Sequence, residues 1–356
     1  MTTDTQTPDT QAPSRVGRPS LGSMARSLLV DRVALLVILL VVLLVWFFAL
    51  SAGGYLVAPY DLSYMASALE STVPLAILGL AQLVVIVSGR GGIDLSVGAM
   101  VSLVGMTFGF AYGMWDWPFL PALLLALVAG VVLGAVNGFL VAYLRVPALI
   151  ATLATYYAYS SLALISNDNA PISTKPLQDL NSITRGVQLG SLAIPRQVFT
   201  FLLPVALLVW LLVNRAPYGR RLYAVGTNEI AARYASLDVA RVRFGAYALS
   251  GLLSAVVAVV TVAQFASSRP DAGTVGSGMA LPAITIAVLG GVAIAGGVGR
   301  VGGVLIAALL IVWLNAGILL YFEGSQGSQY QLFALGAVLL ISALFNALIL
   351  RRRGAT

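Results

Sequence analysis

Ten stretches of this chain are apolar for about as long as a helix needs to cross a lipid bilayer: 33–50, 71–88, 95–112, 119–144, 147–165, 197–213, 244–264, 280–298, 301–320 and 331–350. A hydrocarbon core about 30 Å thick takes roughly 20 residues of helix. The remainder could not cover a soluble protein. Of 356 residues 59% are hydrophobic and 9% charged, against about 25% charged in an ordinary soluble domain. The expected fold is all-α, a polytopic membrane protein with about ten transmembrane helices. The pair 71–88 and 95–112 is separated by a short glycine-rich break that fits either the surface or the interior of the membrane.

Basic residues orient such a chain, because cytoplasmic loops are enriched in Lys and Arg. With ten spans and both termini cytoplasmic, sixteen of the twenty basic residues fall inside, leaving Lys175, Arg185, Arg196 and Arg269 outside. The thirteen acidic residues divide nearly evenly between the sides. The net charge of +7 is then a basic cytoplasmic rim facing membrane lipid, and no nucleic-acid partner is implied. Residues 1–26, rich in Thr, Pro, Gln and Ser, read as a disordered cytoplasmic tail, leaving 27–356 as the membrane domain. Ala49, Ser51 and Ala52 resemble a signal-peptidase site. The 18-residue run before them exceeds the usual signal core of about 7–15 residues, so the first helix is expected to be retained.

Cysteine and histidine are both absent. That removes thiolate chemistry, the commonest general base and the commonest metal ligand. No metal site and no catalytic residue are expected.

Two hydrophilic connectors are long enough to have roles. The outer one, 166–196, carries Asn167, Asp168, Asn169, Pro171, Pro176 and Asp179 and suits docking of a soluble delivery protein as well as simple connection. In the inner one, 214–243, Gly226 and Thr227 break the chain, and Thr227 or Asn228 can cap a helix. Glu229 then sits in its first turn and Arg233 toward its end, both favoured by the helix dipole. Ile230 and Tyr234 share a face, with Ala231 and Ala235 beside them. Such a helix could rest on the bilayer or dock into a groove on an ATPase.

Gln82, Asn137, Asn315 and Asn346 are amides within apolar stretches. They suit hydrogen bonds between helices or, for Gln82, Asn137 and Asn315 together with Asp94, a translocation pathway for an uncharged, hydrogen-bonding molecule. Arg90 and Asp94 are spaced to pair if their loop is buried; a solvated turn capped by Asp94 fits equally. Residues 88–92 and 298–303 share a Gly-Arg-(Val)-Gly-Gly pattern that hints at duplication.

Four blocks carry a resemblance: Gly91-Gly92-Ile93-Asp94-Leu95-Ser96-Val97-Gly98; Asn137-Gly138 through Val146-Pro147 to Ala151-Thr152-Leu153; Ala224 through Arg233; and Leu289 through Arg300. In this order they are similar to the permease subunits of ribose-type sugar ABC importers, and they span roughly residues 70–350. Departures are Thr227 where a second Gly is usual, Ile230 where an acid is common, Ser236 where Gly is expected, and Ser160-Ser161 for a typical Arg-Gly. The resemblance implies a permease translocating a monosaccharide or similar small polyol in the bacterial inner (plasma) membrane. It implies a homodimer or heterodimer with a second permease subunit, two ATP-binding cassette subunits, and an extracytoplasmic sugar-binding protein. The coupling loop would comprise Gly226, Thr227, Asn228, Glu229, Ala231, Ala232 and Arg233. No Gly-x-x-x-x-Gly-Lys-Ser/Thr phosphate loop occurs, so no cofactor is expected on this chain and ATP would be bound by the partner subunit.

Two other classes compete. An ABC permease for branched-chain amino acids or nucleosides shares the broad fold. An ion-coupled secondary transporter would need a buried carboxylate or His, and Asp94 alone approaches that description.

Overall fold

The computed structural model describes residues 32–190, 192–275, 278–322 and 324–354; the expected tail at 1–26 lies outside them. Each of the ten apolar stretches contains a helix, though not each is helical throughout. In chain order the helices are α1 (Arg32–Ala52), α2 (Leu62–Val87), α3 (Val97–Phe108), α4 (Phe119–Gly138), α5 (Ala148–Ile165), the short α6 (Lys175–Asp179), α7 (Leu203–Asn214), α8 (Pro217–Thr227), α9 (Glu229–Tyr234), α10 (Val239–Phe265), α11 (Ala280–Leu289), α12 (Val301–Tyr321) and α13 (Ser325–Gly354). π-helical turns extend α3 and α4 and precede α7. Among the described residues eight helices are long and apolar enough to span a membrane. The segment Val198–Asn214 with α8, bent by 66°, makes a ninth if counted as one span.

The eighth of the ten expected spans, 280–298, is half a span. Only α11 is helical, and ten residues rise about 15 Å, half the hydrocarbon thickness. It ends at Gly290, and Gly291, Gly296 and Gly297 follow with φ of +90°, +97° and +72°. The segment before α11 completes the distance. Ser268 exchanges backbone hydrogen bonds with Ile172 (2.8 and 2.9 Å), and its Oγ donates to the Gly105 carbonyl (2.8 Å). Deeper along α3, Gly273 N–H donates to Ser102 Oγ (3.0 Å). Irregular backbone at this depth is tolerated because protein, not lipid, surrounds it and satisfies its polar groups.

Helices α2, α3 and α10 are buried along most of their length, whereas α1 and α13 are hardly buried at all. Apolar residues all round a helix suit either the centre of a bundle or a lipid-facing position. The stripe Gly130, Gly134 and Gly138 lets α4 press against Gly251 and Phe244 of α10 backbone to backbone, the packing small residues permit in membranes. The outer connector 166–196 is not featureless. It holds α6, a 3-10 turn at Leu180–Ile183, and a hairpin of β1 (Gly186–Leu189) and β2 (Leu192–Pro195) with Val187 opposite Ile194.

Connectors that the charge pattern assigns to one side do meet. Val87, Gly226 and Gly297 converge: Gly297 N–H donates to the Val87 carbonyl (3.0 Å). A β-carbon on Gly226 would run into that same oxygen. Tyr223 Oη donates to the Gly299 carbonyl (2.7 Å). At the other end Gln197 and Gln264 both donate to the Glu70 carbonyl (3.0 and 2.8 Å).

Candidate functional site: an exposed helix and a buried polar break

The segment 214–243 folds into two helices where the sequence suggested one. Pro217 occupies the first turn of α8, where its missing N–H costs nothing, and Leu222 and Val225 are buried beneath it. The chain then breaks at Asn228. Its Oδ1 accepts from Ala231 N–H (3.0 Å), so Asn228 and not Thr227 caps α9. Thr227 Oγ1 instead donates back to the Tyr223 carbonyl (2.8 Å).

Glu229 holds α9 in place. Arg233 donates to its Oε1 (2.6 Å) and Arg243, from the first turns of α10, to its Oε2 (2.9 Å). Arg243 is only 2% exposed and also donates to the Ser88 carbonyl (3.3 Å), tying α9 to the end of α2. Partial burial works against the charged form of Glu229. The hydrogen bonds and charges of Arg243 and Arg233 outweigh it and hold the carboxyl below its ordinary range.

The outward face is apolar. Ile230 is 69% and Tyr234 88% exposed, Ala231 and Ala235 are exposed beside them, and Ala232 packs inward. Gly226 is packed in the junction with Val87 and Gly297. Sequence reasoning misses Arg243, because a basic residue ordinarily marks the outside of a span. The usable signal was an arginine one turn inside an N-terminus capped by Asp238.

The glycine-rich break 88–96 is buried in protein. Asp94 is 0% exposed and does not pair with Arg90. Its Oδ1 accepts from the Ser96 N–H (3.0 Å) and Oγ (2.7 Å), and its Oδ2 from Ser250 Oγ of α10 (2.9 Å). Neither the Arg90 pair nor the solvated turn is formed. Gln82 of α2 donates to the Asp94 carbonyl (2.5 Å) and its Oε1 accepts from the Asp94 N–H (3.3 Å). Asn137 of α4 donates to Ser96 Oγ (2.7 Å) and accepts from Thr155 Oγ1 of α5 (2.6 Å). One network therefore joins Gln82, Asp94 and Asn137 and fastens the break to four helices. Asn315 is elsewhere, on α12, its carbonyl accepting from Gln331 of α13 (3.0 Å). Asn346 lies on α13.

A bundle of spanning helices with two glycine-rich interruptions, and a clamped helix projecting from one face, defines a polytopic transport permease. Residues 64–343 match the family described as "Branched-chain amino acid transport system / permease component", and the chain belongs to it. Curated relatives agree. The chain is 32% identical over 287 residues to the ribose import permease RbsC of Escherichia coli K12, covering 81% of this chain and 86% of that protein. It is 33% identical over 297 residues to the autoinducer 2 import permease LsrD of Klebsiella pneumoniae, covering 82% and 86%. Against RbsC of Bacillus subtilis it is 38% identical over 258 residues, covering 72% and 76%. The chain is thus a permease component of an importer and a multi-pass membrane protein.

Proposed function

We propose that this chain is the membrane-spanning subunit of an ABC importer in the bacterial inner membrane, translocating a monosaccharide or similar small polyol. An extracytoplasmic binding protein delivers the cargo, and a separate ATP-binding subunit, which alone binds ATP, drives the cycle. A second permease subunit, identical or related, completes the pathway. The carrying observation is α9. A six-residue helix cannot stand alone, yet this one is capped, clamped by two arginines and presents an apolar face that the described residues leave uncovered. That is the surface a coupling contact needs, and in this reading 214–243 and both termini face the cytoplasm, as the basic residues of the connectors support. Relatives named for ribose and autoinducer 2 import support a polyol cargo. The family description makes branched-chain amino acids the second reading.

The buried network supports a fastening role for Gln82, Asp94 and Asn137. For these three to line a pathway, α2, α4, α5 and α10 would have to part around them.

Ala231→Trp tests the coupling assignment. Ala231 is exposed, so the fold should be kept, while overpacking at a close interface costs about 1–3 kcal/mol, roughly 5–150-fold in affinity. Normal membrane abundance with reduced ATPase co-purification and lost transport is expected. Unchanged association and uptake would show that α9 is not the docking element. Uptake by the reconstituted complex, compared between ribose-like sugars and leucine-like amino acids, separates the two cargo readings.

A further inference from the structure

Next to α9 the basic face contains a cavity of about 230 Å³ that the buried network does not reach. Four arginines line it: Arg90 from the break after α2, Arg145 from the turn after α4, Arg233 of α9 and Arg243 of α10. The acidic groups nearby are committed. Glu229 is shared by Arg233 and Arg243. Asp238, also in the lining, caps α10 by accepting from Arg241 N–H (3.0 Å) and pairs with the Arg241 side chain (3.4 Å). Arg90 and Arg145 have no partner among the described residues, and the single charge of Glu229 offsets only one of Arg233 and Arg243, so three positive charges around the cavity are uncompensated.

Inside it the demand for an acceptor is sharper. Arg243 is 2% exposed, and its Nε has no hydrogen-bond partner among the described residues, a cost a native fold normally avoids. The two unpaired arginines share a second oddity. Arg90 has φ of +60° and Arg145 of +57°, a left-handed conformation uncommon for a residue of this kind, and both side chains reach the same cavity.

Guanidinium groups converging on one space match the oxygens of a phosphate, which can accept several forked hydrogen bonds at once. The position suggests the source. Tyr143 and Leu144, adjoining Arg145, and Leu149 and Ile150 at the start of α5 are large apolar side chains left exposed. The cavity therefore lies beside an exposed apolar surface of the kind that lipid chains cover. We propose that it binds a phosphate group, supplied by an anionic lipid whose acyl chains lie along this apolar edge.

The purified chain in nanodiscs of phosphatidylcholine with added phosphatidylglycerol provides the test, with bound lipid read by native mass spectrometry. Arg90→Gln/Arg145→Gln is compared with Arg220→Gln/Arg221→Gln, which removes the same charge from exposed positions of α8 outside the cavity. Preferential retention of phosphatidylglycerol is expected, falling roughly fivefold per cavity arginine removed and little in the α8 pair. Unfolding temperature in phosphatidylcholine alone checks that each variant is folded, and the single variants serve if the pair unfolds. Glycerol phosphate is added in lipid-free detergent as a separate arm. Stabilisation of the parent but not the cavity pair, without lipid preference, supports the phosphate site with a soluble ligand. No response to either phosphate source overturns the proposal. So does equal loss in both pairs, or a cavity pair whose only defect is ATPase association.

Discussion

Ser236 closes α9 with φ of +58° while its N–H donates to the Arg233 carbonyl (2.9 Å). The resemblance called for Gly at this position, and the backbone gives the reason, since a left-handed residue after a helix is the place where a side chain is unwelcome. Ser236→Gly relieves about 1–2 kcal/mol of left-handed strain against about 0.5–1 kcal/mol of added chain entropy. A slight rise in the unfolding temperature is expected, with coupling intact. Ser236→Val, β-branched at positive φ, should lower it instead, and equal temperatures for the two variants would contradict the strain argument. Glu229 is the other decisive residue. Its carboxyl is held below the usual range, so its contribution is complete above the unfolded value near 4.5 and is lost as pH falls through the lower folded value. Amide exchange over α9 should therefore be flat from neutral pH down to about 4.5 and accelerate only below it, once intrinsic exchange is corrected for. Glu229→Gln should remove that acid step. It also leaves buried Arg243 short of a charged acceptor, a cost of about 1–3 kcal/mol.

At the scale of elements, the breaks carry more than the spans. Apolar length marked all ten helical stretches, because length and hydropathy are local properties. The sequence overran at 280–298, where Gly290, Gly291, Gly296 and Gly297 lie among apolar residues that hydropathy cannot distinguish from a helix. It also falls short at the start of α10, where Arg241 and Arg243 look like loop residues. Glu229 clamps Arg243 only in three dimensions, and no pattern along the chain pairs residues 229 and 243. The network was half legible for a similar reason. Gln82, Asp94 and Asn137 stood out as polar residues in apolar surroundings, but the hydroxyls of Ser96, Thr155 and Ser250 that join them are unremarkable as letters. At the junction of breaks, Gly226→Ala would force a methyl against the Val87 carbonyl and the Gly297 amide. Backbone cannot yield as a flexible side chain does, so a cost of about 1–3 kcal/mol is expected. Transport should fail before membrane insertion does. Wild-type transport by this variant would mean that the junction opens freely.

For the whole molecule, the contacts establish which connectors share a face, and the distribution of charge supplies an expectation of which face is cytoplasmic. Connectors carrying Arg90, Arg145, Arg233 and Arg243 gather around one cavity, while the connector bearing Lys175 meets Ser268 and the end of α10 through Ile172 and Asn181. If basic residues orient this protein as they orient others, the first set is inside and the second outside. Because the chain contains no cysteine, one introduced thiol reports one position without background. Lys175 is exposed at the start of α6, and Tyr234, 88% exposed, ends α9. In intact spheroplasts Lys175→Cys should react with a membrane-impermeant maleimide, while Tyr234→Cys should react only after lysis and in the absence of the ATPase. The reversed pattern would turn the molecule over and remove α9 from the reach of any ATP-binding partner. Labelling of both sites from one side would instead break the relation between the two faces, and with it the span count on which the orientation depends.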